Sequence, residues 1–250
     1  MVCIVEAYEK PKLDSPVLIE GLPGIGLIAN IAALHLIHEL KATKFARIYS
    51  SAFQDLAITT QEGGTRSPTN ELYYHKSPDG GHDLIVWYGN TQALTAVGQY
   101  ELCGRVIDIA SDLGCSRVIT LGGFRQMEVK SPPQIFCAAS DHATLQEALG
   151  LGAKIMVGQI FGIAGLMVGL CRLRKVKSFS LLVETLGTQP DVNATRTALS
   201  ALDKLLKMGI DVSRVDAAAE EIRATLEAFG LIRRAAGEKK KEEHQFRWFI

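Results

Sequence analysis

The expected fold is decided by the segment VLIEGLPGIG at residues 17–26. Residues 17–20 form a short apolar run that predicts a buried strand, and the glycines and proline of residues 21–26 then predict a tight turn. An apolar helix is predicted directly afterwards, over residues 27–40. A strand, a glycine turn and a helix in this order are typical of an α/β domain.

The rest of the chain continues the alternation of strands and helices. Further strands are predicted at residues 45–49, 83–88, 117–121, 134–139 and 178–183, and a hairpin at 56–60 and 71–75 around the turn at 62–64. A helix is predicted over residues 102–113, and two amphipathic helices follow residue 198. The pattern predicts an α/β fold with a mostly parallel sheet covered on both faces. Residues 1–232 are expected to form this domain and residues 233–250 a flexible charged tail.

Composition narrows the range of functions. The 250 residues are 47% hydrophobic, and 27 basic residues balance 27 acidic ones. Because the chain has no net positive charge that would attract nucleic acid or an anionic membrane surface, we expect neither as a partner. Five widely separated cysteines fit reduced thiols rather than a disulfide framework, and the N-terminus lacks a secretory signal pattern. We therefore expect a cytoplasmic protein.

An apolar stretch at residues 155–171 leaves two interpretations. It contains two G-x-x-x-G spacings, which in a membrane favour helix pairing. Its length is marginal for a membrane span, however, and its glycines interrupt a uniform helix. A buried strand, a glycine turn and a core helix account for it better.

The glycine turn partly matches two nucleotide-binding motifs. Gly24 and Gly26 begin a relaxed dinucleotide fingerprint, but the next strand ends in Tyr49 without the acidic residue that would hold a ribose. The P-loop pattern lacks its lysine. A structural turn with close helix packing is favoured over a cofactor site, and we expect no cofactor. Gly122 and Gly123 follow a predicted strand, where α/β folds place ligands. The candidate ligand loop therefore consists of Gly21, Pro23, Gly24, Gly26, Gly122 and Gly123.

Catalytic motifs are sparse. His35 and His38 lie on the apolar first helix without the order of a zinc-protease signature, so no metal site is expected. Ser140, Asp141 and His142 are sequence neighbours and cannot form a triad, and Asp141 is predicted to cap a helix. No catalytic residue is assigned, and we do not expect an enzyme.

The last residues combine a charged spacer with an aromatic cluster. Residues 237–245 are polar, and Phe246, Trp248, Phe249 and Ile250 follow them. Clustered exposed aromatics are typical of interaction surfaces. The alternatives are that the tail packs on its own domain or frays.

Residues 18–32, with sequence LIEGLPGIGLIANIA, closely resemble the opening motif of the proteasome assembly chaperone family in its archaeal branch. Later stretches resemble further landmarks of the family in the right order, and the match extends to about Gly230. These are GQY at 98–100, LGGF at 121–124, GIAGLM at 162–167 and LLVET at 181–185. The resemblance implies a three-layer α/β/α sandwich similar to nucleoside phosphorylases, no enzymatic activity, homo-oligomers and binding to proteasome α-subunits.

The resemblance also implies a role for the tail. Proteasome activators and some assembly chaperones end in a hydrophobic residue, a tyrosine and any residue, the HbYX motif, which enters pockets of the α-ring. Trp248, Phe249 and Ile250 match these three positions, except that Phe249 lacks the tyrosine hydroxyl. Two alternatives remain: a small-molecule enzyme or sensor on a nucleoside-phosphorylase-like fold, and a structural oligomer whose tails dock on neighbouring subunits.

Overall fold

The structure is a computed structural model that describes residues 3–59, 63–78, 81–187 and 190–228. The strands are β1 (Cys3–Ala7), β2 (Val17–Gly21), β3 (Thr43–Ser50), β4 (Ile58–Thr59), β5 (Thr65–Arg66), β6 (Asn70–His75), β7 (Leu84–Gly89), β8 (Arg117–Arg125), β9 (Ile135–Ala139), β10 (Lys154–Ile155) and β11 (Ser178–Thr185). The helices are α1 (Ile28–Glu39), α2 (Ala96–Asp112), α3 (His142–Gly150), α4 (Ile163–Leu173), α5 (Val192–Leu206) and α6 (Val215–Ala228). Short 3-10 turns at Ile25–Leu27 and Val212–Arg214 precede α1 and α6.

A nine-stranded sheet forms the middle layer, in the order β1-β3-β6-β7-β2-β8-β11-β9-β10. One apolar cluster packs α1, α3, α5 and α6 on one face, and a second packs α2 and α4 on the other. Alternate residues of β2 enter the two clusters: Val17 and Ile19 face α1, whereas Leu18 faces α2. All five residues of β2 are buried because both faces of the strand are covered. The predicted α/β/α class is confirmed.

The strand directions differ from the expected, mostly parallel sheet. The central strands β7, β2, β8 and β11 are parallel to one another. The pairings of β1 with β3, β3 with β6, β6 with β7 and β11 with β9 are antiparallel. The sheet is therefore mixed, with a parallel centre and antiparallel pairs toward its two flanks.

Three local predictions are corrected. The hairpin is wrong, because β4 pairs with β5, while both edges of β6 are occupied by β3 and β7. Gly122 and Gly123, which are predicted to follow the strand at 117–121, belong to β8, which continues in register with β11. The expected buried strand in the apolar segment is the exposed, two-residue β10. Within the described residues, no helix is both long and apolar enough to cross a membrane.

The turn between β2 and α1 depends on close packing at Gly21. A Cβ atom at this position would lie 2.0 Å from the Ala33 Cβ and 2.9 Å from the Ala29 carbonyl oxygen, both on α1. Asn30 holds the same junction: its amide donates to the carbonyls of Gly21 at 3.0 Å and of Gly89, at the end of β7, at 2.9 Å. The ends of two parallel strands and the first turn of α1 are thereby joined.

Gly21→Ala is expected to lower the free energy of unfolding by about 2–3 kcal/mol, because the added methyl group overlaps the backbone and side chains of α1. Gly24→Ala is the matched control from the same turn. Its backbone is extended, and a Cβ there would meet no atom within 4 Å. Urea unfolding followed by circular dichroism measures both variants. Equal stabilities would contradict the role assigned to the close contact.

Candidate functional site

A cavity of about 290 Å³ lies where the parallel strands β2, β8 and β11 reach their carboxyl ends. The turn after β2 lines one side with Leu22, Gly24 and Ile25, and the end of β8 lines another. Residues 156–164, which lead into α4, cover it from a third side. Carboxyl ends of parallel strands are the usual ligand position in open α/β sheets, so this cavity is the candidate functional site.

Glu20 is the buried polar group of the cavity wall. Only 2% of its surface is exposed. Its Oε1 accepts a hydrogen bond of 2.9 Å from the backbone N–H of Leu22, whereas Oε2 has no hydrogen-bond partner among the described residues. Burial raises the pKa of the Glu20 carboxyl to about 8, and the hydrogen bond from the Leu22 backbone offsets part of that rise. The carboxyl group is therefore largely protonated at pH 7.

Neighbouring groups hold the walls in position. The side-chain amide of Gln92 donates to the carbonyl of Pro23 and ties the turn to the segment before α2. At Gly123 the strand runs so close to the turn that a Cβ atom would lie 2.4 Å from the Ile25 carbonyl oxygen. Arg125 is exposed and contributes to the rim of the cavity. Cavity shape thus depends on backbone contacts between the turn and β8.

The candidate ligand loop is only partly assembled around this cavity. Gly24, Gly122 and Gly123 line it. Gly21 instead packs on α1, and Pro23 serves as the acceptor for Gln92.

Gly26 also serves the fold. Its φ of +67° lies in the left-handed region, where glycine is favoured. Its carbonyl accepts a hydrogen bond of 2.9 Å from the backbone of Asp191, the N-cap of α5. This arrangement agrees with the structural interpretation of the turn, in which glycines permit close packing.

Glu20 was missed as a site residue because one acidic residue in an apolar strand matches no motif. The available signal was its position immediately before the glycine turn, at the carboxyl end of a strand predicted to be buried on both faces. A carboxyl group at such a position must be either paired or protonated.

None of the described residues that line the cavity is a histidine or a cysteine. His35 is buried, which lowers its pKa, and His38 is exposed with its Nε2 3.7 Å from a Glu221 carboxylate oxygen. In the described part of the chain, no group of three His, Cys, Asp or Glu residues could hold a metal ion. All five cysteines are free, and burial raises the pKa of each thiol. Asp141 caps α3 as predicted, with its carboxylate accepting from the Thr144 N–H at 2.9 Å.

A second surface feature lies beside the cavity. Leu94, Val97 and Tyr100 near the start of α2 are 58–66% exposed, and Phe161 and Leu173 at the two ends of α4 are at least 80% exposed. Exposed apolar side chains in such number are typical of interaction surfaces. The predicted partner-binding residues Phe246, Trp248, Phe249 and Ile250 lie outside the described residues.

Comparison with known proteins relates most of the described residues to one family. The model of the PAC2 family matches residues 18–229. The uncharacterized protein MJ1210 of Methanocaldococcus jannaschii is 30% identical over 217 residues, which cover 86% of this chain and 83% of the relative.

Solved structures from Pyrococcus furiosus share the fold. PbaB, described as an archaeal proteasome activator, is 34% identical with a TM-score of 0.81, covering 91% of this chain and 98% of its own. PbaA, described as an archaeal homolog of proteasome-assembly chaperone, is 23% identical with a TM-score of 0.74, covering 93% and 100%.

Glu20→Gln is expected to remove a pH dependence of stability. The folded-state pKa of about 8 lies above the ordinary value of 4.5, so the folded protein holds one proton more than the unfolded chain between these values. The free energy of unfolding therefore falls as pH rises from about 4.5 to about 8, by on the order of a few kcal/mol. Glutamine keeps an acceptor for Leu22 and does not ionise, so the variant should lose this slope.

Urea unfolding at pH 5 and pH 8 measures the effect. Glu128→Gln is the control, because it makes the same change of side chain at an exposed position away from the cavity. If Glu20→Gln retains the slope of the unmodified chain, the assignment of a protonated Glu20 is wrong.

Proposed function

The chain belongs to the PAC2 family, and we propose that it is a non-enzymatic proteasome-binding protein that captures proteasome α-subunits or the assembled α-ring. The observation that carries the proposal is the similarity to PbaB, with 34% identity and a TM-score of 0.81 over 91% of the chain. PbaB is described as an archaeal proteasome activator. A shared fold alone does not imply a shared function, but identity at this level over nearly the whole chain supports a related partner.

The tail supplies the proposed means of binding. Trp248 and Phe249 provide two large aromatic rings, and Ile250 provides an apolar side chain with the terminal carboxylate. Rings of this kind gain free energy on burial in a pocket, and a basic residue in that pocket would pair with the carboxylate. Residues 238–243, with sequence EKKKEE, are fully charged and favour a solvated spacer. Residues 238–250 therefore have the composition of a docking peptide on a charged spacer.

Several tails on one assembly would strengthen the interaction. We propose that the protein forms a homo-oligomer, as family resemblance implies. Once one tail of an oligomer is bound, the others reach neighbouring α-subunits at a high effective concentration. A weak single-tail affinity is then compatible with stable capture, without any contact from the folded body.

Deletion of Trp248, Phe249 and Ile250 is expected to weaken binding to α-subunits by at least about tenfold, because the aromatic anchors and the recognised chain end are lost. Biolayer interferometry with purified α-subunits from the same organism measures the change. The control replaces Lys239, Lys240 and Lys241 with serine, which alters the spacer and leaves the end intact. Undiminished binding of the deletion variant would refute the tail mechanism.

Recognition of the carboxylate is tested with synthetic peptides of residues 238–250 carrying either a free or an amidated C-terminus. The free acid should compete with the full chain for α-subunits, and the amide should compete at least about tenfold less well, because it cannot form the charge-assisted pair. Equal competition would leave ring burial as the source of affinity and exclude carboxylate recognition.

Phe249→Tyr is expected to strengthen tail binding by about fivefold, since a satisfied buried hydroxyl hydrogen bond contributes about 1 kcal/mol. The same variant tests gate opening, through the rate at which the proteasome core particle hydrolyses a fluorogenic peptide. Phe249→Leu, which removes the ring, is the control and should weaken binding. If Phe249→Tyr changes neither affinity nor hydrolysis, the pocket does not contact the hydroxyl position.

A further inference from the structure

The buried Glu20 carboxyl is more polar than its structural role requires. Oε1 accepts the hydrogen bond from the Leu22 N–H, which restrains the turn. Oε2 has no hydrogen-bond partner in the described parts of the protein. A buried carboxyl oxygen without a hydrogen-bond partner opposes folding. Glutamine at this position would serve the turn equally well. The carboxyl group therefore offers a binding capacity that the fold does not use.

Charge compensation from the protein is also lacking. No ion pair joins Glu20 to a basic side chain among the described residues. Arg125 contributes to the cavity rim but is itself exposed to solvent. A positive charge that enters the cavity would thus meet a carboxyl group without a competing internal partner.

The remaining walls determine which kind of cation would fit. Leu22, Phe124, Ile163 and Leu182 give the cavity an apolar lining around the carboxyl group. Its volume of about 290 Å³ is at the small end for ligand pockets, suited to a single ring rather than a nucleotide. Strongly hydrated metal cations favour clusters of carboxylates, whereas Glu20 is the single acidic residue among the described residues of this lining.

We propose that this cavity binds a small organic cation, in which an ammonium or amidinium group pairs with Glu20 and an apolar body contacts the surrounding walls. The positive group would pair with the ionised carboxyl group of Glu20, which lines the cavity. The apolar body would gain free energy from burial. This site is separate from the proposed tail mechanism, and neither requires the other.

Binding of a cation should be coupled to release of the Glu20 proton. Burial raises the pKa of this carboxyl to about 8, so at lower pH the group must ionise before it can pair with the ligand. The affinity should rise by up to about tenfold per pH unit below pH 8 and level off above it.

Other titratable groups near the cavity do not reverse the expected rise of affinity with pH. Burial raises the pKa of the Cys103 thiol on α2 and of the Cys171 thiol on α4, and the nearby Glu20 raises that of Cys103 further, so both thiols stay neutral. The described wall residues from α1, α4 and β11 carry no titratable side chain, and β8 contributes the cationic Arg125 at the rim.

The test uses the full chain and a panel of probes, namely guanidinium, benzylamine and benzamidine, titrated by isothermal calorimetry at pH 6, 7 and 8. Benzamide and benzyl alcohol are the neutral counterparts of similar shape. We expect at least one cation to bind more than tenfold tighter than its neutral counterpart, with affinity increasing from pH 6 to pH 8.

Two variants locate the interaction. Glu20→Gln should remove the preference for the cation, and Glu128→Gln, which changes an exposed acid, should retain it. The comparison of charged with neutral probes on the unmodified chain keeps the test valid if Glu20→Gln unfolds. Absence of binding by all three cations, equal binding of a neutral counterpart, or an affinity independent of pH would each overturn the proposal.

Discussion

The contact between β2 and α1 at Gly21 is the constraint on which the rest of the site depends. Since a single methyl group at this position would overlap Ala33, the helix lies directly against the strand end and the turn has little freedom. The side-chain amide of Asn30 donates hydrogen bonds to the carbonyls of Gly21 and Gly89, and so fixes the neighbouring strand β7 to the same junction. β2 therefore ends at Gly21, and the cavity lies next to this end of the strand. Backbone contacts, rather than large side chains, position the candidate site.

Glu20 places an ionisable carboxyl group in a part of the core that is mostly apolar. A carboxyl group buried between helix layers opposes folding unless it is protonated, and protonation still leaves one oxygen unpaired among the described residues. Exceptions of this kind tend to occur where a protein binds something, because selection for stability alone would replace the group with an uncharged residue. The folded body of this chain thus has a chemical feature of its own, independent of any peptide at its end.

Local patterns predicted β2 and α1, because the apolar run and the glycine turn are contiguous in sequence. Pairing of distant strands was less predictable. The sequence of β6 indicates a strand, but its neighbours β3 and β7 are chosen by the packing of the whole sheet. Gly122 and Gly123 suggested an end to β8, whereas pairing with Leu182 and Val183 carries the strand through them. The roles of Glu20 and Gln92 depend on contacts made only after folding.

The two-residue strand β10 has a consequence for how the sheet ends. It forms the outer edge beyond β9 and carries the exposed Lys154. A short edge with a charged side chain offers few free backbone groups to a further strand. At this edge the protein is therefore protected against edge-to-edge aggregation, and a stable association of folded copies there would have to use side-chain surfaces instead of strand addition.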